Sequence, residues 1–214
     1  MRRVLDITIS AVALLVLLPL LIVIAVLVVV SSKGGALYGG MRVGRNGRLF
    51  RMWKFRTMMR DADRLGSGVP TQADPRITRI GHSLRKTKLD ELPQFWNVLM
   101  GDMTLVGPRP EVMDALALYS PEQREILKHK PGLTSPGQIF YATNLEPLIP
   151  DGVDTSRFYV DQLLDHKLKI DFEYLARQTF LSDCRVVLDT AKYVLRPFVV
   201  HCGQQSQTPK PIHK

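Results

Sequence analysis

The sequence predicts a mainly α-helical protein with few short strands that lies on a membrane, entering and leaving it by one face through a broken N-terminal helix. Three observations lead there. Residues 7–32 form a 26-residue run without a charged side chain, rich in Leu, Val and Ile, with Pro19 near its middle. The formal charge of +9 over 214 residues sits in one stretch. Residues 34–88 hold thirteen basic and three acidic side chains, residues 1–33 three and one, and residues 89–214 thirteen and sixteen. Helix start and stop signals then recur through the second half of the chain. A hydrophobic content of 45% excludes a disordered chain, and two cysteines exclude a disulfide framework, so Cys184 and Cys202 read as thiols facing a reducing compartment.

As a straight helix the apolar run reaches roughly 39 Å, enough to cross a hydrocarbon core of about 30 Å. It exceeds a signal-peptide core, and Ser31-Ser32-Lys33-Gly34 offers no clean cleavage site. Both flanks are basic, with Arg2 and Arg3 before the run and Lys33, Arg42, Arg45, Arg48 and Arg51 after it, so the positive-inside rule favours neither orientation. Pro19 removes an amide donor and crowds the preceding turn, leaving two arms each too short to span. A re-entrant hairpin with both ends on the cytoplasmic side explains the symmetry and the proline together. A spanning helix that tolerates its proline is the alternative.

Beyond Lys33, the glycines at 34, 35, 39, 40, 44 and 47 read as turns that bring the chain back along the interface. Residues 48–56 alternate basic with apolar or aromatic side chains, as a strand or an interfacial segment does. Residues 66–75 read as a polar loop. Ile77, Ile80 and Leu84 then set a helical spacing toward Thr87. Ser120-Pro121-Glu122-Gln123 combines an N-cap, a first-turn proline and a capping-box glutamine, and starts a helix that ends before Pro131-Gly132. Two more helices cover 158–181 and 182–195, with Pro197 stopping the second. Val187, Ala191, Val194 and Leu195 give it an apolar stripe suited to a core or to docking at the interface. Residues 203–214 read as a disordered tail. The expected division is a membrane hairpin over 1–33, a cytoplasmic and interfacial catalytic domain over 34–202, and that tail.

No Walker loop, G-x-G-x-x-G, G-x-S-x-G or Cys/His metal spacing occurs. The densest chemistry lies in 87–97 and 101–110. Asp90 and Glu91 are adjacent, so on a regular helix their side chains diverge by about 100°, and they serve one ligand only near a helix start or turn. Thr87 as N-cap, with Pro93 downstream, would place them there, although Thr-x-x-Asp is also an ordinary capping box. Arg76, Arg79, Arg85, Lys86 and Lys88 surround the pair, and Arg109 follows between two prolines. Arginines make bidentate contacts to phosphate, and a carboxylate among them holds Mg²⁺ or attacks phosphorus. This pattern points to phosphoryl transfer at a membrane surface.

The runs Lys-Phe-Arg-Thr-Met at 54–58, Thr-Arg-Ile-Gly at 78–81, Leu-Arg-Lys-Thr-Lys-Leu-Asp-Glu-Leu-Pro-Gln at 84–94, Gly-Asp-Met at 101–103, Val-Gly-Pro-Arg-Pro at 106–110 and Lys-Pro-Gly-Leu-Thr at 130–134 carry a resemblance. In content and order, over roughly residues 1–196, the chain resembles the bacterial sugar transferase family of monotopic polyprenyl-phosphate phosphoglycosyl transferases. The resemblance implies transfer of a sugar-1-phosphate from a nucleoside diphosphate sugar, usually a UDP-sugar, to polyprenyl phosphate, at the cytoplasmic face of the bacterial inner membrane. It implies Asp90 as the nucleophile and Mg²⁺ ligand, with release of UMP, and Glu91 as the second member of an acidic dyad. It further implies Arg85 and Arg109 as phosphate ligands, with Lys54 and Arg56 completing the site. Pro19 matches the break of the family's re-entrant helix, and the short single-domain form is similar to the family's minimal members.

Two departures limit what carries over. Leu18 precedes Pro19 where many relatives have serine. Residues 135–140, Ser-Pro-Gly-Gln-Ile-Phe, replace a Gly-Trp-Ala-Gln-like run, so the sugar is not implied. The expected partners are the two substrates and anionic membrane lipids. Nucleic acid, the partner of a tethered basic module that would have no use for Asp90, is not expected. A transferase moving the sugar without its phosphate is the third alternative, and Asp151-Gly152-Val153-Asp154 has the wrong spacing for the Asp-x-Asp motif of such enzymes.

Overall fold

The structure is a computed structural model and describes residues 2–62, 74–145 and 155–204. Helix α1 (Arg2–Ser31) is continuous, with Pro19 inside it. The secondary structure is therefore not divided into two helices at the proline, which removes one amide donor and crowds one turn without being bound to end a helix. Most of α1 is exposed, including Leu15 at 73% and Val30 at 82%. It is the one helix among the described residues long and apolar enough to cross a membrane.

Both ends of α1 are nonetheless fastened to the same folded body. At the N-terminal end the Arg3 guanidinium donates to the carbonyls of Val98 and Leu99 at 2.5 and 2.7 Å. The Asp6 carboxylate accepts from the Thr104 hydroxyl at 2.8 Å and the Leu105 amide at 3.1 Å. At the other end Ile24 and Val28 are buried in one cluster with Phe55 and Leu84.

Strands β1 (Leu37–Val43) and β2 (Leu49–Phe55) form an antiparallel hairpin in which Gly39 faces Trp53 and Val43 faces Leu49. Gly39 and Gly40 thus lie within a strand and are not turns. Gly39 leaves room for β2 side chains to fold across: a Cβ there would stand 2.4 Å from the Arg51 side chain and 3.0 Å from the Trp53 ring. Arg51 itself lies over that ring, 5.7 Å from its centroid. The alternation read in residues 48–56 is the β2 strand.

Helix α2 (Arg79–Thr87) starts at Thr78, whose hydroxyl accepts from the Gly81 amide. Its fit against the end of the hairpin is close, since a Cβ on Gly81 would come within 2.0 Å of the Thr57 carbonyl oxygen. Thr87 is the last residue of α2 and not the N-cap the sequence suggested: its hydroxyl donates back to the Ser83 carbonyl at 2.9 Å. Lys88, in the left-handed conformation at φ 57°, closes the helix. A 3-10 turn (Leu89–Glu91) follows and leads into α3 (Gln94–Met100).

Strand β3 (Thr104–Val106) pairs in parallel with β4 (Gly132–Thr134), and between them lie α4 (Met113–Ala117) and α5 (Pro121–Arg124). The capping box at Ser120 forms as expected. The β3–β4 pairing requires glycine at the first residue of β4, because a Cβ on Gly132 would meet the Gly107 backbone at 2.1 Å. The chain continues through α6 (Pro136–Phe140), α7 (Thr155–Phe158) and α8 (Leu164–Ala176) to α9 (Phe180–Gln204).

Helix α9 runs through Pro197 instead of stopping there and includes Gly203 and Gln204. Its stripe is not a core face. Val186 is buried, whereas Val187, Leu188 and Leu195 are 38%, 61% and 55% exposed. The polar loop expected at 66–75 lies mostly outside the described residues, as does the tail beyond 204.

Candidate active site

The site is assembled where strand β2, the 3-10 turn and the loop after β3 converge. Successive residues of a 3-10 turn point about 120° apart, so Asp90 and Glu91 leave the turn in different directions. Asp90 goes inward, 6% exposed, and its Oδ1 has no hydrogen-bond partner among the described residues. Glu91 is held by cations. Both its oxygens receive the Arg109 fork, Nη1 to Oε2 at 3.0 Å and Nη2 to Oε1 at 2.5 Å, and the Lys54 ammonium stands 3.6 Å from Oε1. Side-chain exposures of 22% for Lys54, 20% for Glu91 and 21% for Arg109 place the cluster in a shielded setting.

Backbone contacts fix the three elements that bring these groups together. Lys54 sits on β2, and the Asn97 side chain locks β2 to α3, its Oδ1 accepting from the Trp53 backbone N–H at 3.0 Å and its Nδ2 donating to the Arg51 carbonyl at 2.7 Å. Arg109 sits between Pro108 and Pro110, which restrict the backbone. The loop is pinned on one side by the Gly132 amide on the Pro108 carbonyl and on the other by the Val43 amide on the Glu111 carbonyl, both at 2.9 Å. Lys88, the left-handed residue before the turn, sets the direction in which the dyad leaves α2. A non-glycine residue in that region costs of order 1 kcal/mol, a strain that sits next to the two acids.

The same neighbourhood drives the two carboxyl groups apart. Burial, then the charge of Glu91, push Asp90 above its ordinary value, against the pull of Lys54, Lys88 and Arg85. Burial would raise Glu91 too, but Arg109 and Lys54 outweigh it and hold Glu91 well below the usual carboxylate range. Burial lowers Lys54 to about 8 in spite of Glu91. For Arg109 the Glu91 charge and hydrogen bonds overcome burial and keep the guanidinium charged. One acid is thus desolvated with an oxygen unpaired, and its neighbour is a permanent anion saturated with cations.

Arg85 lies one turn before the dyad and donates from Nε to the Thr57 hydroxyl at 2.9 Å, with its other guanidinium nitrogens making no hydrogen bond among the described residues. Arg56 sits apart from the Glu91 cluster. It donates to the carbonyls of Gly35 and Leu37 at 3.2 Å each and covers the Tyr38 ring.

Two features escaped the sequence. Arg42, on β1, is half-buried within the field of Arg109 and Glu91, and burial is the first cause of its lowered basicity, followed by Arg109. The second is a pair behind the Arg109 loop: the buried Lys167 ammonium donates to Glu111 at 2.7 Å and to the Tyr159 hydroxyl at 2.6 Å, and Tyr159 donates to Glu111 at 2.8 Å. Glu111 follows Arg109 by two residues, so this buried pair braces the loop that carries the fork.

The bacterial sugar transferase family matches residues 1–197, nearly the whole chain. The chain belongs to the bacterial sugar transferase family. Among curated relatives of this family member, the galactosyl transferase CpsE of Streptococcus agalactiae is 37% identical over 205 residues, covering 91% of this chain and 42% of CpsE. The undecaprenyl-phosphate galactose phosphotransferase of Salmonella typhimurium is 36% identical over 211 residues, 92% of this chain and 40% of the relative. The exopolysaccharide production protein ExoY of Sinorhizobium fredii is 40% identical over 153 residues, 64% of this chain and 68% of ExoY. The chain therefore spans about two fifths of the length of the first two of these relatives.

Proposed function

We propose that the protein transfers a sugar-1-phosphate from a UDP-sugar to polyprenyl phosphate and so begins assembly of a bacterial glycan. The observation that carries this reading is the unpaired, buried Oδ1 of Asp90 beside a carboxylate already neutralised by Arg109 and Lys54. A carboxylate kept dry and unpaired is a nucleophile without a shell to shed, and the surrounding cations suit a pyrophosphate. The names of relatives such as the Salmonella phosphotransferase support the lipid phosphate as acceptor.

In the first half-reaction an Asp90 oxygen attacks the sugar-linked phosphorus. An aspartyl–phosphorus bond forms, the bridging P–O bond to UMP breaks, and UMP leaves with that bond's electron pair. In the second, a polyprenyl phosphate oxygen attacks the same phosphorus, and Asp90 departs as carboxylate. Arg85 and Arg109 hold phosphate oxygens, and Lys54 adds charge where the leaving group develops it. Glu91 is the positioning group that keeps Arg109 and Lys54 aimed. Arg56 orders the turn at the start of β1 and acts on the site through it.

Mg²⁺ fits this donor set in one way. Among the described residues no three His, Cys, Asp or Glu side chains cluster, so there is no protein cage for a metal. Magnesium is commonly held by one or two carboxylates with waters and substrate phosphates. Asp90 is the residue that would hold it, and the ion would neutralise charge on the pyrophosphate.

For the membrane, the docking of both ends of α1 on one body supports a re-entrant, monotopic arrangement, and we place the catalytic residues on the cytoplasmic face of the inner membrane as part of the proposal. A helix that crossed would carry one of those ends to the far side. The exposed Leu188 and Leu195 of α9 are read as contacts to the interface.

Purified protein given UDP-sugars, Mg²⁺ and polyprenyl phosphate should release UMP, and release of UDP would sink the reading. The pH profile of kcat/KM adds a signed expectation. Activity should fall on the acid side as Asp90 takes up its proton, at a pH above the ordinary aspartate value of 3.8. It should fall again above about 8, as Lys54 loses its charge. In Lys54→Arg the alkaline limb should leave the accessible range, because guanidinium does not titrate there. An alkaline limb that stayed in place would remove Lys54 from the site.

A further inference from the structure

A cleft of about 650 Å³ opens where α1 leaves its apolar run, bounded by Ser31 and Lys33 on one side and by Arg60 and Arg79 on the other. Its floor is apolar, made by Met59, Ile77 and Ile80. Among the described residues, Lys33, Arg60 and Arg79 make no ion pair and no side-chain hydrogen bond, unlike Lys54 and Arg109. Three unpaired cations around a greasy floor, beside the end of a membrane helix, match a molecule with a phosphate at its head and hydrocarbon below. None of Asp90, Glu91, Lys54, Arg85 or Arg109 lines this cleft, so a phosphate seated here is not the one that reacts.

From this we infer that the cleft is a binding site for the headgroup of an anionic bilayer phospholipid, which holds the exit of α1 and the start of α2 at the lipid–water boundary. The inference rests on α1 lying in a bilayer, as read above, but not on the phosphoryl-transfer chemistry. A phosphodiester headgroup places its phosphate among Lys33, Arg60 and Arg79 while the first carbons of its chains cover Met59 and Ile80. Each basic residue near an anionic surface contributes about 1 kcal/mol, so removing two should weaken binding roughly ten- to thirty-fold.

The test uses the full chain and the variant Lys33→Gln/Arg60→Gln, bound to vesicles of phosphatidylcholine with and without 30 mol% phosphatidylglycerol. Native mass spectrometry after detergent extraction then counts retained lipid. The natural chain should retain phosphatidylglycerol over phosphatidylcholine, and the variant should lose that preference while still partitioning into both vesicles and keeping its rate of UMP release within about two-fold at saturating substrate. Equal retention of the two lipids by the natural chain would overturn the proposal. Displacement of phosphatidylglycerol by millimolar inorganic phosphate, or a rise confined to the KM for polyprenyl phosphate in the variant, would assign the cleft to free phosphate or to the acceptor and overturn it as well. Failure of the natural chain to bind vesicles at all would count instead against the membrane placement of α1.

Discussion

Asp90→Asn is expected to abolish UMP release while leaving the protein as stable as before or more so. The amide is nearly isosteric and its oxygen does not attack phosphorus, so kcat should fall by at least about 10,000-fold, as when the nucleophile of a covalent mechanism is removed. The stability half of the expectation comes from the same geometry. Asp90 is 6% exposed, and burial together with Glu91 opposes its charge. The substitution removes a charge that the fold accommodates at a cost, the usual relation between an active-site group and its scaffold. A thermal midpoint that is unchanged or higher, measured beside the lost activity, separates a missing nucleophile from a damaged fold. Retained UMP release would contradict the assignment outright.

Glu91→Gln carries the second large effect, and it has a signature that simple misfolding lacks. The Arg109 fork loses its anionic partner, and kcat/KM for the donor should drop by roughly 100-fold through misplacement of the phosphate-binding cations. The pH profile should move as a whole. Glu91 opposes the ionisation of Asp90, so its removal lets Asp90 titrate at lower pH. Glu91 also supports the charge on Lys54, so its removal takes that lysine further below about 8. Both limbs should therefore shift toward acid. An acid limb that disappeared while the alkaline limb held its place would instead make Glu91 a proton acceptor, in conflict with a carboxylate held so far below its normal range by Arg109 and Lys54.

Much of this site was legible in the sequence because its parts lie in short runs of unusual chemistry. Asp90 and Glu91 stand out among basic neighbours, Arg109 between two prolines, and Lys54 in an alternating strand. What the sequence could not carry was division of labour within the dyad, which follows from a 3-10 turn and a left-handed Lys88 that no periodicity announces. Thr87 looked like a cap since Thr-x-x-Asp satisfies the local pattern, but Thr78 offers the helix an earlier start that packs Gly81 on Thr57. The Lys167–Glu111 pair joins residues 56 positions apart, and long-range buried pairs leave no local trace. Strand β1 was hidden by glycines that normally mark turns. Here Gly39 and Gly40 are strand positions, and Gly39 leaves space for Arg51 and Trp53. Pro197 was overvalued as a stop for the corresponding reason: one missing amide donor is a local cost that a long helix absorbs.

The most direct test of the account is a single turnover without acceptor. Protein in slight excess over UDP-sugar and supplied with Mg²⁺, but with polyprenyl phosphate withheld, should release one equivalent of UMP per active site. Mass spectrometry of the peptide containing Asp90 should then show the added sugar phosphate, discharged when polyprenyl phosphate is supplied. Absence of UMP until the lipid is added, or a sugar phosphate found on any residue other than Asp90, would contradict the central claim.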